Sequence, residues 1–103
     1  MPTIYEYFGI VFLFHYRDEH LNDIHVHIRY AGTESKADIK YVGGKLSKIV
    51  FKKAQDCKPI PKNKEADARA FIEKYHKQIT EKWIQAFIKK SKPKFEAITK
   101  KIK

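Results

Sequence analysis

The sequence predicts an α+β fold: an antiparallel sheet of about four strands, one long C-terminal helix packed on it, and a short basic terminal helix. Three observations predict it. Residues 24–30 alternate strictly, Ile24, Val26, Ile28 and Tyr30 against His25, His27 and Arg29, which is the period of a half-buried strand. Glycine-bearing turn signals separate this stretch from its alternating neighbours. Downstream, Ala68, Ile72, Tyr75, Ile79, Trp83, Ala86 and Phe87 recur at three- and four-residue spacing, the core stripe of an amphipathic helix.

Taken in order, Ile4 to Tyr16 reads as one strand or two, broken near Gly9. Both of its faces are largely apolar, so both must be covered. Val11 and Leu13 face away from the side the helix takes. Their expected cover is the terminal helix or a second copy of the chain in a two-fold dimer. After a polar connection comes the strand Ile24–Tyr30. Gly32-Thr33 then fits a two-residue hairpin turn, and the third strand, residues 34–41, alternates again. That turn pairs Ile28 with Ala37, Val26 with Ile39, His27 with Asp38 and His25 with Lys40. Gly43-Gly44 makes the next turn. In residues 45–51, Leu46, Ile49 and Phe51 share a face only through a bulge. Pro59 and Pro61 keep residues 52–62 irregular. Asn63 offers an N-cap to the long helix, with Glu65 and Asp67 in its first turn. Lys92-Pro93 interrupts the helical pattern, and Phe95, Ile98 and Ile102 suggest a short lysine-rich helix beyond it.

A chain of 103 residues supports one core. The expected division is a single domain over residues 1–90 and a lysine-rich helix or tail over 91–103. One cysteine, Cys57, excludes an internal disulfide framework and suits a reducing compartment. The longest apolar stretch, residues 7–16, is too short to span a bilayer and lacks a leader's basic start, so the expected location is the cytoplasm, away from membranes. Charge is divided unevenly. Residues 1–51 hold six basic and six acidic groups, whereas residues 52–103 hold sixteen and six, which is the whole net +10. From Lys89 onward stand seven lysines and one glutamate. Such a block points to a polyanionic partner, or is simply a solvated tail.

The histidines carry the chemistry. His25 and His27 sit on one strand face with Cα atoms roughly 6.6 Å apart. With His20, and with His15 or Asp38 converging, they could hold a divalent metal such as zinc. If Tyr16 pairs with Ile24, His15 comes beside His25. Without metal, His25 and His27 could divide general base and acid work, Asp38 orienting His27 and Arg29 or Lys40 holding a phosphate. The plainest alternative is that these are polar residues of a wet sheet face. Nucleic-acid or partner contacts are expected from Arg29, Lys89, Lys90, Lys92, Lys94, Lys100 and Lys101.

Met1-Pro2-Thr3-Ile4, Phe8-Gly9-Ile10, Glu19-His20, Ile24-His25-Val26-His27-Ile28, Gly43-Gly44-Lys45-Leu46 and Ile79-Thr80-Glu81-Lys82-Trp83 together resemble the small bacterial domain of unknown function 4160. The resemblance runs from residue 1 to about residue 90. Members often carry prolines just before the two histidines; here Leu21-Asn22-Asp23 stands there, one residue longer. The resemblance implies a component of a toxin–antitoxin pair, with Glu19, His20, His25 and His27 as the motif positions and Trp83 in the core. It implies no reaction.

The expected function is therefore a small cytoplasmic bacterial module of toxin–antitoxin type that binds nucleic acid or a cognate antitoxin-like protein. The alternatives are a histidine-based or metal-dependent nuclease and a purely structural partner-binding domain. Phosphate loops, H-E-x-x-H, paired cysteines, nucleophile elbows, RNA-binding aromatic motifs and the helix-turn-helix pattern are all missing from the sequence.

Overall fold

The computed structural model describes residues 3–15, 24–54 and 57–102. Strands β1 (Thr3–Tyr7), β2 (Ile10–Leu13), β3 (Ile24–Tyr30), β4 (Thr33–Val42) and β5 (Lys45–Lys53) precede one long helix, α1 (Lys62–Trp83), and a short strand β6 (Glu96–Ile98). The sheet order is β5-β4-β3-β2-β1-β6. All neighbours run antiparallel except β1 and β6, which are parallel. The fold is thus α+β with a long C-terminal helix on a sheet, but the sheet is mixed and among the described residues has six strands instead of about four.

Two differences account for the count. The first apolar stretch is a hairpin, because Phe8 and Gly9 both take positive φ (48° and 84°), the geometry of a tight primed turn. The expected terminal helix is absent among the described residues. Residues 91–95 are irregular and β6 lies along the open edge of β1. That edge offers unpaired backbone groups which a short extended segment satisfies. Lys82 fastens the segment. Its ammonium donates to the Lys94 carbonyl (2.7 Å) and to Glu96 (3.0 Å) and lies 4.9 Å from the centre of the Tyr5 ring.

The core lies between α1 and one sheet face. Ile10, Phe12 and Phe14 of the β2 segment, Val26 and Ile28 of β3, and Ala37 and Ile39 of β4 meet Ala68, Phe71, Ile72, Ile79 and Trp83. Phe71 is the hub, with Phe12 stacked at 4.6 Å, Tyr75 at 4.6 Å and Tyr5 and Tyr7 at 5.2 Å. Burial pushes the Tyr5 hydroxyl up to about 12. The last helical turn widens over Ile84–Ile88, where the Lys89 amide reaches the Ile84 carbonyl. It keeps Ala86 and Phe87 on the buried side. Helix α1 starts one residue before Asn63. Pro61 is the N-cap and no side chain caps the helix, so Asn63 does not have the expected role. Leu13 is buried within the single chain and Val11 is half-buried.

The β3–β4 register also differs from expectation. The turn is Ala31-Gly32, both at positive φ, so Tyr30 pairs with Thr33 and every partner moves by two residues. Faces survive such a shift, because side chains alternate with period two. His25, His27 and Asp38 do share one face, with Val26, Ile28, Ala37 and Ile39 on the other. The partners change: Asp38 stands across from His25, and His27 stands across from Lys36. The bulge needed in the β4–β5 pair lies between Lys40 and Tyr41, where pairing passes from Lys48 to Leu46.

Candidate functional site

The sheet face turned away from most of α1 concentrates the charged side chains. Arg29 pairs with Glu34, His27 with Lys36 and His25 with Asp38 across β3 and β4, and Leu13 of β2 pairs with His27. Two residues past Leu13, His15 comes to the same side. Its ring meets that of His27 edge-on at 3.9 Å.

Two clusters result. In the first, Glu34 Oε2 accepts from His15 Nε2 (3.2 Å) and His27 Nδ1 (3.0 Å), while Oε1 accepts from Arg29 Nε (2.6 Å). Burial alone would push the Glu34 carboxyl up. The hydrogen bonds from Arg29, His15 and His27, and the Arg29 charge, outweigh it and hold the group below its ordinary value. In the second cluster, His25 Nδ1 lies 3.2 Å from Asp38 Oδ1, and Lys52 Nζ lies 2.8 Å from Oδ2. Although His25 and Asp38 are close, among the described residues neither His25 nitrogen nor Asp38 Oδ1 has a hydrogen-bond partner; the two groups are near without being aligned. The Trp83 ring lies 5.6 Å from the His25 ring, so the end of α1 reaches the start of β3.

A family model described as Domain of unknown function (DUF4160) matches residues 9–84. The chain belongs to the DUF4160 family. No curated protein and no solved structure matches it. The matched residues take in β2–β5 and α1 and leave out β1 and β6, the pair joined in parallel.

In this DUF4160 chain the proposed catalytic set His25, His27 and Asp38 is divided. His25 keeps Asp38, and His27 turns to Glu34. The proposed metal set His20, His25 and His27 is divided in the same way, with His20 outside the described residues. The motif residue Glu19 and the suggested pairing of Tyr16 with Ile24 also lie outside them. Among the described residues, the group whose ligand atoms lie within 4.8 Å of one another is His15, His27 and Glu34. His15 was one candidate among several, and Glu34 was missed. The correct hairpin turn would have found it, since it puts Glu34 across from Arg29. Lys52, the cation on Asp38, was missed for want of a β5 register.

The expected contact lysines fall in two places. Lys89, Lys90, Lys92, Lys94, Lys100 and Lys101 are exposed beyond the β1 edge, in and around the segment that forms β6. On the opposite side, β4 and β5 set Lys36 directly across from Lys52 and Lys40 across from Lys48. They share the Arg29 and Asp38 face. No described helix is long and apolar enough to cross a membrane.

Proposed function

We propose that this protein is a small nucleic-acid-binding module, of the kind that works in a toxin–antitoxin pair in the cytoplasm. The carrying observation is the lysine lattice of β4 and β5. Like charges directly across an antiparallel pair are destabilising, yet two such pairs, Lys36–Lys52 and Lys40–Lys48, stand on one face, with Lys45 at the end of the hairpin. Asp38 meets this lattice at Lys52, whose Nζ lies 2.8 Å from Oδ2. A phosphate backbone laid on this face relieves the repulsion and releases counterions. The terminal lysines lie at the other edge of the sheet. Five strand spacings separate β5 from β6, about 24 Å, so the two basic regions address different stretches of one polyanion. Burial of His25 and His27 favours binding over the alternative reading of His25, His27 and Asp38 as a nuclease centre. A cognate protein with an acidic surface is the other partner this lattice would suit.

The test is binding of labelled duplex DNA and RNA at several salt concentrations. Replacing Lys36, Lys40 and Lys48 by Gln removes three cations and spares Lys52, which is tied to Asp38. On duplex DNA the slope of log affinity against log salt should become shallower by up to about 2.7, three contacts at roughly 0.9 each. An intact protein that ignores both nucleic acids at low salt refutes the reading and leaves the acidic protein partner. Cleavage of either nucleic acid, abolished by His25→Ala with binding retained, would restore the nuclease reading.

A further inference from the structure

We infer that His15, His27 and Glu34 form a binding site for one divalent transition-metal ion, zinc being the best match. The set keeps His27 of the expected His20, His25 and His27, takes His15 from the further candidates and adds Glu34, and it does not depend on the nucleic-acid reading. Three elements supply it: the segment after β2, the middle of β3 and the start of β4.

The geometry carries the inference. Zinc binds imidazole nitrogen and carboxylate oxygen at about 2.0–2.1 Å, so two ligands at the tetrahedral angle stand about 3.3 Å apart. Glu34 Oε2 lies 3.2 Å from His15 Nε2 and 3.0 Å from His27 Nδ1, close to that edge length. All the ligand atoms fall within 4.8 Å of one another. Arg29 holds the other carboxylate oxygen at 2.6 Å. It therefore orients Glu34 as outer groups orient metal ligands, and it leaves Oε2 turned to the two rings. The ligand types, two imidazoles and one carboxylate, are those of zinc sites that keep a fourth position for water. The side chains of His15, His27 and Glu34 are about nine-tenths buried, whereas Arg29 is 45 % exposed. The cluster thus meets solvent on the Arg29 side, which gives an ion its way in.

In the metal-free form each imidazole presents an N–H to Glu34, at Nε2 of His15 and Nδ1 of His27. Zinc needs those nitrogens as lone-pair donors, so each ring must carry its proton on the other nitrogen once the ion is bound. This tautomer change can be read without any substitution.

The experiment uses the full chain freed of any histidine tag, stripped with a chelator and titrated calorimetrically with zinc chloride. One zinc per chain is expected. His15→Ala and Glu34→Ala should each weaken binding at least about tenfold, and Arg29→Gln, acting through Glu34, by roughly ten- to a hundredfold. His25→Ala should bind as the parent does. Nitrogen-15 spectra of the unsubstituted protein guard against variants that fail to fold: the His27 Nδ1 and His15 Nε2 resonances should move from protonated to metal-bound positions, while those of His25 stay. No zinc uptake, uptake undiminished in folded His15→Ala, or an unmoved His27 Nδ1 resonance each overturns the inference.

Discussion

Replacing Lys82 by Met keeps the length of the side chain and removes its charge. The residue is only 7 % exposed, so its contacts are made largely out of water. The bond to the Lys94 carbonyl (2.7 Å) is charge-assisted and contributes about 1.5–3 kcal/mol. Glu96 is 43 % exposed, so that ion pair adds about 1 kcal/mol at most. The Tyr5 ring face adds roughly 0.5–1 kcal/mol. Against these, Met avoids the cost of burying an ammonium group, which brings the expected net loss down to about 1–3 kcal/mol. The loss should be local, because Lys82 holds the β6 segment and the core packs around Phe71. Amide exchange in Glu96–Ile98 should quicken about 5- to 150-fold, with β3, β4 and β5 little changed. Unaltered exchange in Glu96–Ile98, or an equal loss spread through β3–β5, would refute the reasoning. The same contacts make removal of residues 89–103 a poor test of their charge, since it also bares the β1 edge and strands Lys82 in the core. Lysine-to-glutamine substitutions are the cleaner probe.

Other outcomes follow from the packing and the turns. Phe71→Ala should cost about 3–5 kcal/mol in chemical denaturation, because the ring is fully buried among four aromatic neighbours; a loss under 1 kcal/mol would deny it that central place. Ala31→Asn should stabilise the protein by up to about 1 kcal/mol, since Ala31 holds φ at 48° where Asn-Gly is the favoured turn pair, and a lower melting temperature would count against this turn. In metal-free protein, Glu34 has a carboxyl pKa lower folded than unfolded. Its contribution is therefore fully present above the ordinary value of 4.5 and is lost as pH falls below it through the folded value. Glu34→Gln should flatten the stability–pH curve in that acid range, and parallel curves for parent and variant would contradict the assignment.

Much of the layout was legible in the residues, and the reasons differ by element. The alternation of Ile24–Tyr30 divided polar from apolar faces correctly even with the wrong turn, because a two-residue slip changes partners and leaves faces alone. The slip itself arose at Ala31. A residue with a Cβ resists positive φ, so sequence reasoning favours Gly32 as the first turn residue, one position after Ala31, where the turn begins. That error hid Glu34 and gave Asp38 to the wrong histidine. The bulge in the β4–β5 pair was legible because Leu46, Ile49 and Phe51 are all large and apolar. Phe71 stands three residues after Ala68 and four before Tyr75, so it obeys the helical spacing and could have been included. Strand β6 was not legible: three residues carry no period, and what makes them extended is an edge and a lysine distant in sequence.

That parallel pairing also shapes how the chain folds. The antiparallel hairpins close through the tight turns Phe8-Gly9, Ala31-Gly32 and Gly43-Gly44, events that take microseconds. Tyr5 finds Glu96 only after some ninety residues of intervening chain are arranged. The loop-closure entropy of that search rises slowly with length, but the contact brings no return until α1 has placed Lys82. Docking of β6 should therefore come late and open first, so that β1 is the sheet edge most often bared in a population that is otherwise folded.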